Sequence, residues 1–342
     1  MIREGEHCLF CGRTLRSAER QAVIRSFLQT MCAAAHYPQL YPLLAQLALC
    51  AACLRELPLL GRVHCPRCGR ADPHASTDDL LRRGEHGAAA LCRDCESWGS
   101  GDPLVMNRST LHYDRGGKEL IARYKYRGDE RIADLLAVLL LVAYYRFYSR
   151  AAFHLLSYVP LHERRLRERG FNQAEQLARH IARHTGIRML PLLQRTKETA
   201  KQSKQQGRRA RLESMQDAFA VDEAVLEEAN QYWNLASRRN ARQRLPIPPS
   251  WPLLPAWPLP FPFAHKAPQL LSRFNPPSSA ALRPASRRAL PGVTQQPPVP
   301  RIRLLLIDDI FTTGATIRAC ARAVRSHPLF AGAEVYSLTI CR

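Results

Sequence analysis

Eight of the eleven cysteines fall in four pairs of one spacing, Cys8-x-x-Cys11, Cys50-x-x-Cys53, Cys65-x-x-Cys68 and Cys92-x-x-Cys95. Two thiolates separated by two residues can reach one metal ion, and zinc takes four such sulfurs in closed tetrahedral sites. Eight thiols therefore predict two structural Zn²⁺ centres. Gly12 and Gly69, each directly after a second cysteine, ease the tight turn such a pair needs. Spacing leaves the partnering open: the pairs can combine consecutively, although thirty-eight residues separate Cys11 from Cys50, or in a crossed arrangement. With all four positions filled, such ions organise folding rather than chemistry. Cys32, Cys320 and Cys341 lie outside the pattern and read as buried thiols.

A second constellation runs from Arg301 to Thr316. Asp308 and Asp309 are followed, after Ile310 and Phe311, by Thr312, Thr313, Gly314, Ala315 and Thr316. Three hydroxyls and a glycine suit a phosphate, because the glycine lets backbone amides close on the anion. Two carboxylates facing that phosphate would repel it. They suit vicinal sugar hydroxyls instead, and a phosphate next to a diol is a ribose 5-phosphate. No Gly-x-x-x-x-Gly-Lys-Ser/Thr sequence occurs, which removes the P-loop nucleotidases.

The flanking residues predict how this loop is held. Leu304, Leu305, Leu306 and Ile307 form the continuous apolar run of a central parallel strand. Ile317, Cys320, Ala321 and Val324 follow with the spacing of one helix face. The loop then joins the carboxyl end of a strand to the amino end of a helix, where open α/β sheets bind ligands. A second buried strand is predicted over His154 to Val159, ending at Pro160. Beyond it His162, Arg164, Arg165, Arg167 and Arg169 gather charge that could neutralise a diphosphate. Phe171 to His184 reads as a helix buried through Ala174, Leu177, Ala178 and Ile181, and Leu135 to Ala143 as a buried helix.

The segment from Leu304 to Thr316 resembles the phosphoribosyl diphosphate motif of type I phosphoribosyltransferases. Val159-Pro160-Leu161, the Arg-Gly-Phe-Asn-Gln-Ala text at Arg169 to Ala174, and Tyr124-Lys125-Tyr126-Arg127-Gly128-Asp129 are further similar to the ComF family, tied to competence for DNA uptake. The resemblance spans nearly everything but residues 222–300. It implies an α/β fold: the type I phosphoribosyltransferase parallel sheet flanked by helices, with a small N-terminal zinc-ribbon module of four-cysteine sites. It also implies Asp308 and Asp309 as the catalytic pair on the ribose hydroxyls, Thr312 to Thr316 on the 5-phosphate, and Arg164 and Arg165 on the diphosphate. Mg²⁺ would accompany the phosphoribosyl diphosphate, and the basic stretch from Arg195 to Lys204 matches a mobile loop that closes over it. The double zinc ribbon of the family corresponds to consecutive cysteine pairing. The implied activity is phosphoribosyl transfer to an acceptor that no motif marks. The alternative is a non-catalytic DNA-uptake factor that binds single-stranded DNA, and meets other DNA-uptake proteins, with the phosphoribosyl pocket regulatory or vestigial.

The chain as a whole sets the frame. With 46% hydrophobic and 23% charged residues in 342 it is globular in composition. No apolar run reaches the ~18 residues of a membrane span. A polar amino-terminal stretch without a secretory signal, and cysteines in metal-ligand spacing, point to the cytoplasm. The net charge of +21 suits nucleic acid or phosphorylated ligands. Much of the excess, however, lies between Ala229 and Ile307, where there is no Asp or Glu. Sixteen of the 25 prolines fall between Leu245 and Pro300, predicting a Pro-rich disordered insertion. The expected organisation is a zinc-ribbon module at 1–100, a first part of the catalytic domain at 101–221, the insertion at 222–300, and a second part with the loop at 301–342.

Overall fold

The computed structural model describes residues 7–15, 21, 24, 44, 49–60, 63–71, 90–127, 130–197, 215, 217–231 and 302–342, with backbone alone at 126, 127, 130 and 131. Expectations for the Pro-rich residues 232–300 and for the loop residues 198–204 lie outside these. So does Cys32.

Short helices α1 (Ala51–Arg55) and α2 (Arg93–Glu96) belong to the cysteine module. The chain then runs through β1 (Leu104–Leu111), α3 (Arg115–Arg127), α4 (Glu130–Tyr148), β2 (Leu155–Tyr158), α5 (Glu163–Arg169) and α6 (Gln173–Thr185). A small antiparallel pair, β3 (Leu193–Arg195) and β4 (Phe219–Val221), precedes β5 (Arg303–Ile310), α7 (Ala315–Ser326) and β6 (Glu334–Cys341). Four strands form one parallel sheet in the order β1-β6-β5-β2. Helices flank the sheet, which is the α/β phosphoribosyltransferase-like architecture expected from the sequence.

Strand β5 lies inside the sheet, paired with β2 through Leu304 to Ile307 and with β6 through Asp308 and Ile310. Side chains of a strand alternate between faces, so its apolar run must be covered twice. Leu305 and Ile307 join Leu156, Leu338 and Ile340 under α4 and α6. Leu304 and Leu306 join Leu104 and Val335 under α7, through Ile317, Cys320, Ala321 and Val324. The expected helix over Leu135 to Ala143 is the buried middle of α4. Helix α6 buries Ala174, Leu177, Ala178 and Ile181 as its periodicity predicts.

Two details depart from the sequence reading. The acids do not end β5: β6 continues to Cys341 and carries the strand on to Ile310. Helical turns also extend beyond Val221, with a 3-10 turn at Glu223–Val225 capped by Asp222 and Ala229 buried.

Both margins of the sheet are paired further. Leu60 N–H donates to Thr110 O at 2.7 Å, His112 N–H to Pro58 O at 2.7 Å, and Asn107 N–H to Arg67 O at 2.7 Å, all along β1. On the other side Leu156 N–H donates to Arg188 O at 2.8 Å and Leu190 N–H to Leu156 O at 3.0 Å. Leu305, wholly buried at the centre, has no room to rearrange. Leu305→Ala is expected to lower stability by about 2–5 kcal/mol, read as a shift in the chemical denaturation midpoint with zinc content retained.

Candidate functional site

Asp308 and Asp309 stand at the carboxyl end of β5, both partly exposed. Directly after them the chain turns, and Gly314, with φ +75°, caps the start of α7. A Cβ at Gly314 would lie 2.2 Å from Arg318 and 2.4 Å from the Phe311 ring, so glycine is required by both conformation and space. Ala315 N–H is taken by Thr313 Oγ1 at 3.3 Å. Arg318 N–H donates to Gly314 O at 3.0 Å, which opens the helical ladder of α7. Thr312, Thr313 and Thr316 are partly exposed around this turn, and the Thr316 hydroxyl lies 3.8 Å from Met215 Sδ. Strand end, acids, threonines and helix start therefore meet as the spacing required.

In the sequence Lys125 stands out only as part of a family motif. In the fold its Nζ is ion-paired with Asp309 Oδ2. Tyr124 beside it donates to Gln173 O at 3.1 Å and Gln176 Oε1 at 2.9 Å, which docks α3 on the start of α6. The Arg-Gly-Phe-Asn-Gln text has matching structural work. Gly170, φ +77°, ends α5; Asn172 caps α6 by accepting from Ala174 N–H at 3.0 Å; Phe171 packs against the Tyr124 ring at 5.9 Å.

The two arginines expected at the diphosphate are not equivalent. Arg164 is 62% exposed and pairs with Glu168 at 3.2 Å on the outer side of α5. Arg165 is 19% exposed, and its charge acts on Arg195, which in turn acts on Asp308. Burial lowers the Arg195 guanidinium from its ordinary value, Arg165 adds to that, and Asp308 opposes it. Arg195 thus acts on Asp308, after Lys125, with Arg165 acting on Arg195, and the sequence marks Arg195 only as part of a mobile loop.

The eight cysteines gather as Cys8, Cys11, Cys50, Cys53 and as Cys65, Cys68, Cys92, Cys95, the consecutive pairing, with each set of sulfurs within 4.8 Å of one another. Cys11 and Cys50, and likewise Cys68 and Cys92, place their sulfurs 3.7 Å apart. The edge of a tetrahedron with ~2.3 Å zinc–sulfur bonds is about 3.8 Å, so both sets could hold zinc ions. The two are built alike. In each, the glycine after the first pair donates back to its first cysteine, Gly12 to Cys8 O at 2.9 Å and Gly69 to Cys65 O at 3.0 Å. In each, the third cysteine precedes a short helix and its N–H donates to the first sulfur, Cys50 to Cys8 at 3.3 Å and Cys92 to Cys65 at 3.5 Å. Burial would raise the Cys8 thiol, but amides of Cys11, Cys50 and Phe10 outweigh it and bring it to about 6. Hydrogen bonds from Cys68 and Cys95 hold Cys65 below the ordinary thiol range. Cys320 and Cys341 are buried thiols, as expected.

The second cysteine set adjoins the loop from Asp308 to Thr316. Arg318, 1% exposed, donates to both Asp102 oxygens, to Cys95 Sγ at 3.5 Å and to Thr313 O at 3.3 Å. Arg342 donates to Cys68 Sγ at 3.1 Å, Cys68 O at 3.2 Å, Thr312 O at 2.7 Å and Phe311 O at 3.3 Å. Among the arginines of the cysteine module, Arg67 pairs with Asp102 and Arg70 with Asp94. Arg93 is exposed, and Arg62, Arg82 and Arg83 lie outside the described residues. Trp98 has Arg318 and Arg322 against its ring.

A parallel sheet flanked by helices, a strand–acid–threonine–helix loop and two adjoining four-cysteine clusters define the class: an α/β phosphoribosyltransferase-like fold carrying a zinc-ribbon module. The curated relatives agree with the family resemblance. The chain is 32% identical over 139 residues to competence protein ComFC of Bacillus subtilis (strain 168), covering 40% of this chain and 52% of the relative. It is 26% identical over 163 residues to competence protein ComFC of Streptococcus pneumoniae (strain ATCC BAA-255 / R6), covering 47% of this chain and 63% of the relative. These curated homologues support the ComF family, while the chain spans only about half to three-fifths of their length. No family model matches the chain, and no solved structure is a significant match. Among the described residues no helix is long and apolar enough to cross a membrane.

Two measurements follow from this geometry. Purified protein is expected to carry two zinc equivalents by elemental analysis, and Cys11→Ser to lose one of them; a single equivalent in the parent protein would contradict the two-site geometry. The Asp308 carboxyl is pushed from 3.8 up to about 8, first by burial and then by the Asp309 charge, against the Asp309 amide, Lys125 and Arg195. The folded protein therefore holds this proton where the unfolded chain has lost it, and stability falls as pH rises between about 4 and 8. Asp308→Asn removes that penalty. Its melting temperature is expected to exceed that of the parent by a margin that grows through this window and is constant above it.

Proposed function

We propose that the chain is a ComF-type phosphoribosyltransferase that binds phosphoribosyl diphosphate at the loop from Asp308 to Thr316. The observation that carries the reading is the junction itself: twin acids at the end of an interior parallel strand, followed at once by threonines around a glycine-capped helix start. Ribose hydroxyls donate to the Asp308 and Asp309 carboxylates. The 5-phosphate lies against the amides of the α7 start and the hydroxyls of Thr312, Thr313 and Thr316. Lys125 orients Asp309 through their ion pair. Arg165 and Arg195 supply charge toward the diphosphate, with Arg164 at the exposed rim. The bond from C1 to diphosphate breaks as an acceptor nucleophile attacks C1, and diphosphate leaves.

Mg²⁺ is a hard cation that leans on substrate oxygens, so it would accompany the phosphoribosyl diphosphate; Asp308 and Asp309 are the partly exposed carboxylates that would help hold it, and it would supply positive charge to the leaving diphosphate. Burial and then the Asp309 charge push the Asp308 carboxyl up to about 8, and its ionised form is the better acceptor for sugar hydroxyls. Affinity is accordingly expected to rise with pH through about 8.

By the name of its relatives the protein acts in competence, and the proposed setting is the cytoplasmic handling of incoming DNA with other uptake proteins. Binding of single-stranded DNA with a regulatory phosphoribosyl pocket is the second reading, favoured by the basic charge of +21. The pairing of Arg67 and Arg70 with acids, and of Trp98 with arginines, counts against a base-stacking platform on the described part of the module.

Titration calorimetry with phosphoribosyl diphosphate and Mg²⁺, repeated with short single-stranded DNA, decides between them. The small molecule is expected to bind, and the Asp308→Asn/Asp309→Asn pair to weaken it at least about tenfold with folding intact. Heat from DNA alone would reverse the order of the two readings.

A further inference from the structure

We propose that Arg318 and Arg342 are positioning residues through which the Cys65, Cys68, Cys92, Cys95 site holds the backbone of the phosphoribosyl-type loop. Each guanidinium spans the two elements. Arg318 contacts Cys95 Sγ with one nitrogen and Thr313 O with another. Arg342 contacts Cys68 Sγ with one nitrogen and Thr312 O with another. A planar, permanently charged fork with several donors is suited to join two acceptors in fixed geometry. The carbonyls of Thr312 and Thr313 lie directly before Gly314, so fixing them fixes how the α7 amides present themselves to an anion.

Charge explains why the joint needs a metal. Zinc with four thiolates carries two negative charges in excess, and Asp102, fully buried, adds a third. Arg318, Arg342 and Arg67 bring three positive charges to the same place. Loss of the metal ion frees the four sulfurs from one fixed geometry, and the Arg318 and Arg342 guanidiniums then lose acceptors held in place. The loop carbonyls are left to guanidiniums with weakened anchors. The first cysteine set packs with the core under α4 and α6 instead, and among the described residues no such bridge from its sulfurs to the loop is seen. Occupancy of the second site is thus coupled to the order of the loop, and, resting on the phosphoribosyl reading above, to affinity for the 5-phosphate.

The test uses the full chain loaded with two zinc equivalents. Zinc release to a chromophoric chelator is timed in the parent, in Arg342→Gln and in Arg318→Lys, which keeps the cation for buried Asp102. Exchange of peptide amides over 311–318 is followed by mass spectrometry in the same samples. Arg342→Gln is expected to release one of the two equivalents about tenfold faster, leave the other unchanged, and raise exchange over 311–318 several-fold; Arg318→Lys is expected to shift both in the same direction. Partial stripping of the parent by chelator should raise the same exchange. Equal acceleration of both equivalents, or exchange over 311–318 that ignores zinc removal, overturns the bridge. Failure of phosphoribosyl diphosphate to bind the parent would overturn the function instead, because neither readout here requires that ligand.

Discussion

A strand enclosed between two others and covered on both faces has nowhere to put a charge except at its ends. Strand β5 obeys this constraint from Leu304 to Ile307, every one buried, and its acids follow only at Asp308 and Asp309, which are partly exposed. The location of Asp308 and Asp309 is therefore a consequence of core packing. So is the direction of α7, which must return across the sheet to cover Leu304 and Leu306 and in doing so brings its amino end beside the acids. The proposed sugar-phosphate site would be one use of an arrangement that the hydrophobic core already imposes.

The acids are not left to solvent. Lys125 arrives from α3, which Tyr124 fastens to α6, and Arg195 arrives from β3, beside Arg165 of α5. Asp308 remains costly to ionise despite them. A carboxyl shifted in this way weakens the folded state as pH rises, a trade-off often met where a site needs what the core does not.

The elements themselves were legible because their signals are local. Four apolar residues in a row, the helical spacing from Ile317 to Val324 and the four cysteine pairs each depend on neighbours within a few turns of chain. Lys125, Asp102, Arg318 and Arg342 were not legible as site residues. Arg318 sits one residue from Ile317 on a helix and reads like any surface arginine; only a partner in a turn 216 residues earlier makes it a core residue. Arg164 and Arg165 were named together from the family resemblance, and only the fold separates them: both reach Glu168, but Arg164 is exposed and Arg165 largely covered. The cysteine partnering also needed three dimensions, since the spacing of Cys11 and Cys50 admits both arrangements.

The pairing of the sheet's margins has a consequence for how the molecule meets copies of itself. An unpaired strand edge is a template for intermolecular addition. Here backbone from Pro58 to Leu60 and from Arg67 occupies positions along β1, and Arg188 to Leu190 occupies β2. The cysteine module thereby serves as a bumper for the sheet: by using the donors and acceptors of β1 at Asn107, Thr110 and His112, it deprives a neighbouring molecule of the row on which a fibre could start.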